Sequence, residues 1–149
     1  MRAPYQVLAL PYRKSGGEYE FCVFHRADNG QFQFVSGGGE DGETPEVAVV
    51  REIYEETGLK NAKITGLTSM AYIPVNVFSP KYLEFWPKNT FVIPEYAFAY
   101  KCEGEIILSE EHTECLWLRY EKARELLTWD SNRAALFELN CRLLTDENR

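Results

Sequence analysis

The stretch VSGGGEDGETPEVAVVREIYEETGL, residues 35–59, joins three consecutive glycines to a segment with helical periodicity. Apolar side chains recur at spacings of three and four residues between Thr44 and Thr57, which predicts an amphipathic helix. Thr44 is a suitable N-cap, Pro45 suits the first helical position, and Gly58 can provide a left-handed stop. The sequence therefore predicts a helix with a defined beginning and end.

Three carboxylates, Glu52, Glu55 and Glu56, share one arc of this helix at about 100° per residue. The apolar residues fall on the opposite arc, which we expect to be buried: Val47, Val50, Ile53 and Tyr54. Like charges at these spacings oppose helix formation by about 0.2–0.5 kcal/mol per pair, and a divalent cation would remove that repulsion. Oxygen ligands favour hard ions such as Mg²⁺ or Mn²⁺. Most acidic runs are solvated helix faces, so the helix alone fits either interpretation.

The glycines at 37–39 bear on whether this helix face binds metal or is simply solvated. Glycine allows close backbone approach and positive φ, as in loops that hold phosphates or offer carbonyls to a metal, although glycine triplets also occur in ordinary turns. The spacing is Gly37, five residues, Glu43, seven residues, then REIYEETGL from Arg51 to Leu59. This pattern resembles the signature of the Nudix hydrolases, and every defined position is filled.

The resemblance implies an α/β fold, a Nudix-type α/β/α sandwich with a mixed β-sheet. It also implies hydrolysis of a nucleoside diphosphate linked to another group, with Mg²⁺ or Mn²⁺ as cofactor. Such ions neutralise phosphate charge and lower the pKa of a bound water.

Residue roles follow from the same resemblance. Glu55 and Glu56 correspond to the principal metal ligands, and Glu52 to either a further ligand or the base that positions water. Glu43 and Arg51 correspond to an ion pair that braces the loop against the helix.

Further positions are implied within and beyond the signature. Gly37 and Gly58 are expected to be structural. Many members have proline and glycine before the first signature glycine, where this chain has Val35 and Ser36. The Ser36 carbonyl is nevertheless expected to reach the metal, because a carbonyl needs no particular side chain.

The segment LSEEHTECLWL, residues 108–118, contains an E-H-x-x-x-x-W pattern that resembles a recurring Nudix segment. Glu111 is the expected extra ligand or base. Solvated loop charges are an equally good interpretation of this segment.

The resemblance implies that substrate specificity depends on residues outside the signature. Residues 77–100, 108–118 and 126–139 look like the branch that hydrolyses dATP or dihydroneopterin triphosphate to the monophosphate and pyrophosphate. The expected substrate-binding residues are Lys81, Tyr82, Trp86 and Arg133. Aromatic-rich stretches are more often packing, and Ser131 and Asn132 also suit the start of a helix.

Two other functions stay open at this point. One is a Nudix hydrolase of another substrate, such as a dinucleoside polyphosphate, a nucleotide sugar or an oxidised nucleotide. The other is a non-catalytic Nudix domain that binds nucleotide or a partner, which is disfavoured because the signature carboxylates are all present. Many Nudix proteins pair as dimers, so a homodimer is also considered.

The remaining segments predict strands and helices around the signature. Alternating or apolar runs predict strands at 5–14, 18–26, 31–35, 62–73, 90–101, 105–108 and 115–120. Residues 74–89 are rich in proline and aromatics and predict an ordered loop. Residues 121–144 predict a short helix, a capped break at Asp130-Ser131 and a longer helix.

Composition limits the class of protein. At 149 residues with 45% hydrophobic content, we expect one domain, residues 1–149. The net charge of −7 argues against a nucleic acid polymer as a partner but not against a small polyanion held through metal. The four cysteines are widely spaced and predict free thiols. The apolar runs are too short for a membrane span, and a cytoplasmic location is expected.

Overall fold

The structure is a computed structural model and describes residues 1–147. The strands are β1 (Arg2–Ser15), β2 (Glu18–Arg26), β3 (Phe32–Gln33), β4 (Val35–Glu40), β5 (Ile64–Pro74), β6 (Val92–Lys101) and β7 (His112–Leu118). The helices are α1 (Pro45–Thr57), α2 (Pro80–Leu83), α3 (Tyr120–Leu126) and α4 (Asp130–Glu147), with a 3₁₀ turn at Val75–Val77.

All the strands belong to one mixed sheet, in the order β3-β2-β1-β6-β5, with β4 paired to β1 and β7 paired to β2. β1 is parallel to β6 and antiparallel to β2 and β4. Its first part pairs with β4 and its last part pairs with β2, so this long strand organises the sheet.

Helices cover both faces of the sheet. Leu8 and Leu10 of β1 pack into a core cluster with residues of α3 and α4. Val7 and Ala9, which point to the opposite face, pack into a second cluster with Ile53 and its neighbours in α1. The predicted α/β/α sandwich is therefore confirmed.

The predicted ends of α1 are also confirmed. The Thr44 side chain accepts a hydrogen bond from the Val47 backbone N–H at 3.2 Å, Pro45 occupies the first turn, and Gly58 ends the helix at φ 77°. These interactions are local, which is why the sequence was sufficient to predict them.

Two local predictions are wrong. Residues 105–108 form no strand, because the Ile107 backbone N–H donates to the Thr57 carbonyl at 2.9 Å and so ties the segment to the end of α1. Residues 37–39 lie in β4 rather than in a loop, because their backbone pairs with β1.

The four cysteines are free, as predicted; Cys22 and Cys102 are buried, whereas Cys141 is exposed. Within residues 1–147, no helix is both long enough and apolar enough to cross a membrane.

Candidate active site

Helix α1 turns one of its carboxylates into the protein interior. Its buried residues are Ala48, Val49, Ile53, Glu56 and Thr57. The prediction that Val47 and Tyr54 are buried is wrong, since their exposed fractions are 55% and 48%. Glu56 follows Val49 by seven residues and Ile53 by three, so it lies on the same face as both. One of the predicted ligands therefore sits within the packed face of the helix.

Glu56 is only 2% exposed, and neither carboxylate oxygen has a hydrogen-bond partner of ordinary geometry among the described residues. Burial raises the pKa of Glu56 well above its usual value, and the charges of Glu52 and Glu111 raise it further. The Ser36 backbone N–H and Arg26 oppose this change in pKa. Burying an ionised carboxylate without a partner is costly, so the site fits a group that supplies positive charge.

Glu56, Glu111 and His112 form a cluster whose ligand atoms all lie within 4.8 Å of one another. His112 Nε2 is 3.5 Å from Glu56 Oε1, and both ring nitrogens of His112 are buried without a hydrogen-bond partner among the described residues. Burial and, next, Arg26 lower the pKa of His112 to about 4. The imidazole is therefore neutral near pH 7 and offers a lone pair, as a metal ligand or an acceptor must.

Glu52 and Glu55 lie on the same helix but in different surroundings. The Glu52 side chain is 13% exposed, and burial is the main cause that raises its pKa to about 7. The Glu55 side chain is 52% exposed and lies 3.2 Å from Arg51 Nη1. A pKa of about 7 suits Glu52 to act as a general base at neutral pH. Glu55, by contrast, is accessible to an incoming ligand.

Arg51 joins α1 to the segment before it. Its Nε and Nη2 each donate to a Glu43 carboxylate oxygen at 2.9 Å, and Nη2 also donates to the Gly38 carbonyl at 2.9 Å. Its Nη1 donates to Glu52 Oε1 at 2.9 Å. The bidentate pair with Glu43 has the geometry that the signature implies, and it also holds Glu52 in place.

The glycines of β4 are required for space rather than for positive φ. A Cβ on Gly37 would lie 2.1 Å from Glu52 Cδ, and one on Gly38 would lie 2.3 Å from Arg2 Nε. Neither has a positive φ. Any side chain at residue 37 would therefore push against the Glu52 carboxylate.

A cavity of about 900 Å³ borders this cluster. Ser36, Gly37, Glu52, Glu55 and Glu111 line it. The Ser36 hydroxyl accepts a hydrogen bond from Gln6 Nε2 at 2.9 Å. Four of the predicted metal-site residues therefore open onto one cavity, whereas Glu56 is not among the described residues that line it.

Only one of the four predicted substrate-binding residues lines the cavity. Tyr82 lines the cavity, whereas Lys81, Trp86 and Arg133 are not among the described residues that line it. Trp86 is 6% exposed, and its indole N–H donates to the Arg2 carbonyl at 3.0 Å. Arg133 binds the Leu127 carbonyl and the Asp130 carboxylate.

Trp129 and Asn132 also line the cavity, and both lie within residues 126–139, which the sequence had associated with the substrate. Sequence reasoning missed other residues that line it: Arg2, Arg26, Phe78 and Glu95. The lone acidic residue in the apolar run around Glu95 was a usable signal. Arg2 and Arg26 gave none, because single basic residues at strand ends are common on protein surfaces.

An α/β/α sandwich with buried carboxylates beside a polar cavity defines a class of fold suited to metal-assisted chemistry on small charged molecules. The sequence matches the NUDIX domain profile over residues 3–139, and the chain therefore belongs to the NUDIX family. This family comprises hydrolases that act on pyrophosphate bonds. The predicted resemblance to Nudix hydrolases is confirmed.

Two solved structures resemble this chain, one with high and one with low sequence identity. A NUDIX hydrolase structure from Listeria monocytogenes has 43% identity, a TM-score of 0.85 and coverage of 97% of each chain. The Escherichia coli dihydroneopterin triphosphate pyrophosphohydrolase has a TM-score of 0.73 over 93% of this chain and 97% of its own, but 22% identity, which shows the shared fold alone.

The curated proteins whose sequences resemble this chain are named RNA pyrophosphohydrolases. The protein from Sulfurovum sp. is 50% identical over 48 residues, which is 32% of this chain and 31% of that protein. The match thus spans about a third of this relative's length.

Proposed function

We propose that this protein is a divalent-cation-dependent pyrophosphohydrolase that cleaves a nucleoside or pterin triphosphate to the monophosphate and pyrophosphate. The observation that carries the proposal is the buried, unpartnered carboxylate of Glu56 beside His112 and Glu111, the last of which lines a cavity of about 900 Å³. A cavity of this volume suits a small-molecule substrate.

The cation site fits the available ligands. Glu56, Glu111 and His112 would hold the ion, with Glu52, Glu55 and the Ser36 carbonyl as the further ligands implied by the signature. When bound, Mg²⁺ or Mn²⁺ neutralises phosphate charge and lowers the pKa of a bound water. His112 adds a nitrogen donor to an otherwise oxygen-rich set, which Mn²⁺ accepts more readily than Mg²⁺ does.

Proton transfer is assigned to Glu52. Burial raises its pKa to about 7, so its carboxylate accepts a proton efficiently at neutral pH. Arg51 Nη1, 2.9 Å away, fixes the orientation of this carboxylate towards the glycines of β4. Glu111 is the alternative base, since it is exposed and lines the same cavity.

Phosphate recognition is assigned to the two arginines that line the cavity. Arg26 donates from Nε and Nη2 to Asp28 at 2.9 Å, which holds its guanidinium at the cavity wall. Arg2 lies over the rings of Phe78 and Tyr82, 4.8 and 4.9 Å from their centroids. Both offer donors in the planar arrangement that suits phosphate oxygens.

A second substrate shares the same reactive group. The curated relatives are named RNA pyrophosphohydrolases, and an RNA 5′-triphosphate contains the triphosphate that this site would bind. The net charge of −7 favours a free nucleotide or pterin over a polymer with many phosphates.

Product analysis tests the proposal. We would incubate the protein with dATP, dihydroneopterin triphosphate and a 5′-triphosphate oligoribonucleotide, with Mg²⁺, with Mn²⁺ or with excess EDTA. We expect pyrophosphate and monophosphate from the free triphosphates, and no turnover with EDTA. Orthophosphate without pyrophosphate would contradict the proposed bond cleavage, and faster turnover of the oligoribonucleotide would favour the second substrate.

A further inference from the structure

Glu95 is a buried acid that the proposed chemistry does not use. It lies on β6 beside Gln6 of β1, is 5% exposed, and lines the cavity. Burial raises its pKa, and a hydrogen bond with the Ser131 side chain opposes the rise. The carboxylates of α1 are not among the causes, in contrast to Glu56, whose pKa responds to Glu52 and Glu111. Glu95 therefore differs from Glu56 in that its pKa responds to burial and to Ser131 rather than to the carboxylates of α1.

A chain of hydrogen bonds holds the Glu95 carboxyl group in place. Asn132 is 3% exposed; its Oδ1 accepts from the Phe34 backbone N–H at 2.9 Å, and its Nδ2 donates to Ser131 Oγ at 3.2 Å. Ser131 in turn bonds to Glu95. The first turn of α4 therefore orients a single carboxyl group on β6.

The neighbouring polar side chain is engaged mainly by other partners. Gln6 Oε1 accepts from Arg2, and one N–H of Gln6 Nε2 donates to Ser36 Oγ. The acceptor capacity of Glu95 beyond its bond with Ser131 is therefore available to a molecule in the cavity.

Aromatic side chains line the same cavity. Trp129, two residues before Ser131, is 42% exposed, and Phe78 and Tyr82 lie in the segment between β5 and β6. Trp129 is the exposed ring of the three, since Phe78 and Tyr82 are half-buried and have the Arg2 guanidinium over their rings. An exposed ring beside a fixed polar group suits a planar heterocycle. The phosphates would lie at the Glu52 and Glu111 side, which leaves Glu95 for the ring.

We infer that Glu95 recognises a 2-amino-4-oxo heterocycle, the edge shared by pterin and guanine, by accepting hydrogen bonds from its ring N–H and its adjacent amino group. A carboxylate is acceptor-only and matches two adjacent donors. Adenine presents one donor and one acceptor on its edge, so one carboxylate oxygen would face a lone pair. The inference rests on the proposed function and, within it, favours a pterin or guanine triphosphate over dATP.

The main test compares substrates that differ at this edge. Values of kcat/KM would be measured for dihydroneopterin triphosphate, dGTP, dITP and dATP with the unmodified protein, E95Q and the exposed-site control E105Q. Because dITP lacks the 2-amino group, we expect the unmodified protein to prefer dGTP over dITP by about 10-fold or more. We expect E95Q to lower kcat/KM for dGTP and the pterin by about 10- to 100-fold, and for dITP and dATP by much less. E105Q should leave the ratios of kcat/KM among the four substrates unchanged.

An equal loss on all four substrates would assign Glu95 a structural role and overturn the inference, as would an unchanged dGTP to dITP ratio in E95Q. If E95Q does not fold, S131A replaces it, because loss of the Ser131 bond frees the carboxyl group and should reduce the same ratio. Calorimetric binding of α,β-methylene dGTP and dITP separates this inference from the proposed reaction. Preference for the dGTP analogue without any hydrolysis would support the ring site while the proposed function fails.

Discussion

Glu56 Oε1 lies 3.5 Å from His112 Nε2, and both side chains are buried. The two groups come from different elements, α1 and β7, and β7 reaches α1 only because it pairs with β2 in the sheet. The carboxylate has no ordinary hydrogen-bond partner within residues 1–147, and the imidazole is neutral near pH 7. Burial disfavours the ionised form of Glu56, and a cation beside the pair would favour that form.

We predict that E56Q stabilises the metal-free protein at pH 8. Burial raises the pKa of Glu56 in the folded state, so the folded protein binds this proton more tightly than the unfolded chain does. The contribution of Glu56 to stability is therefore fully present below its usual pKa of 4.5 and is lost as pH rises towards the folded value. Thermal melts in EDTA from pH 5 to pH 8 should show a smaller decline for E56Q than for the unmodified protein.

The same variant tests the role of Glu56 as a ligand. Mg²⁺ or Mn²⁺ should raise the Tm of the unmodified protein at pH 8 but not that of E56Q, since a ligand that binds only the folded state stabilises it. Hydrolysis should fall by at least about 100-fold. An E56Q protein with the same metal-dependent rise in Tm and the same rate would rule out Glu56 as a ligand.

Gly37→Ala should impair hydrolysis with little change in overall fold. The added Cβ would lie 2.1 Å from Glu52 Cδ, so the carboxylate of Glu52 must move. Gly66→Ala is the matched control, because its Cβ would meet only Phe98, at 4.0 Å, and Gly66 has no positive φ. We expect kcat of Gly37→Ala to fall about 10-fold or more, because small displacements of catalytic groups slow the reaction. The kcat of Gly66→Ala should be unchanged. Equal activity of the two proteins would mean that Glu52 is not held in a required position.

How much of this site the sequence predicts depends on whether an interaction is local. The caps of α1 and the spacing of Glu43 and Arg51 are set within a few turns, and the structure has both. The buried face of α1 was mispredicted because Val47 is more apolar than Ala48, yet packing against the sheet selects the latter. Trp86 shows the same limit, because it is buried and donates to the carbonyl of Arg2, a residue 84 positions away in the chain.

Breaking the Glu43–Arg51 pair should reduce stability and activity together. Both side chains are largely buried, and Arg51 bonds to Glu43, the Gly38 carbonyl and Glu52. The pKa of Glu43 is lowered chiefly by its hydrogen bond with Arg51, so the pair stabilises the protein above the usual pKa of 4.5 and its contribution is lost as pH falls below that value. We expect E43Q to cost about 1–3 kcal/mol at pH 7 in urea unfolding, with a smaller cost near pH 4.

The control for E43Q is E125Q, which removes a solvent-exposed partner of Lys122 at 3.7 Å. Exposed pairs contribute about 0–1 kcal/mol, so E125Q should be nearly neutral. If E43Q were as stable as E125Q at both pH values, the brace would have no measurable role in stability.

Trp129 and Trp86 should respond oppositely to substitution. Trp129 is 42% exposed and lines the cavity, so W129A should raise KM for the triphosphate substrate about 10-fold while leaving Tm nearly unchanged, because stacking of an aromatic ring contributes about 1–3 kcal/mol. Trp86 is buried and donates to the Arg2 carbonyl, so W86F should lower Tm, and its effect on KM should be smaller than that of W129A. Steady-state kinetics and thermal melts of both variants check this assignment. A larger increase in KM for W86F would return substrate stacking to Trp86, as the sequence had suggested.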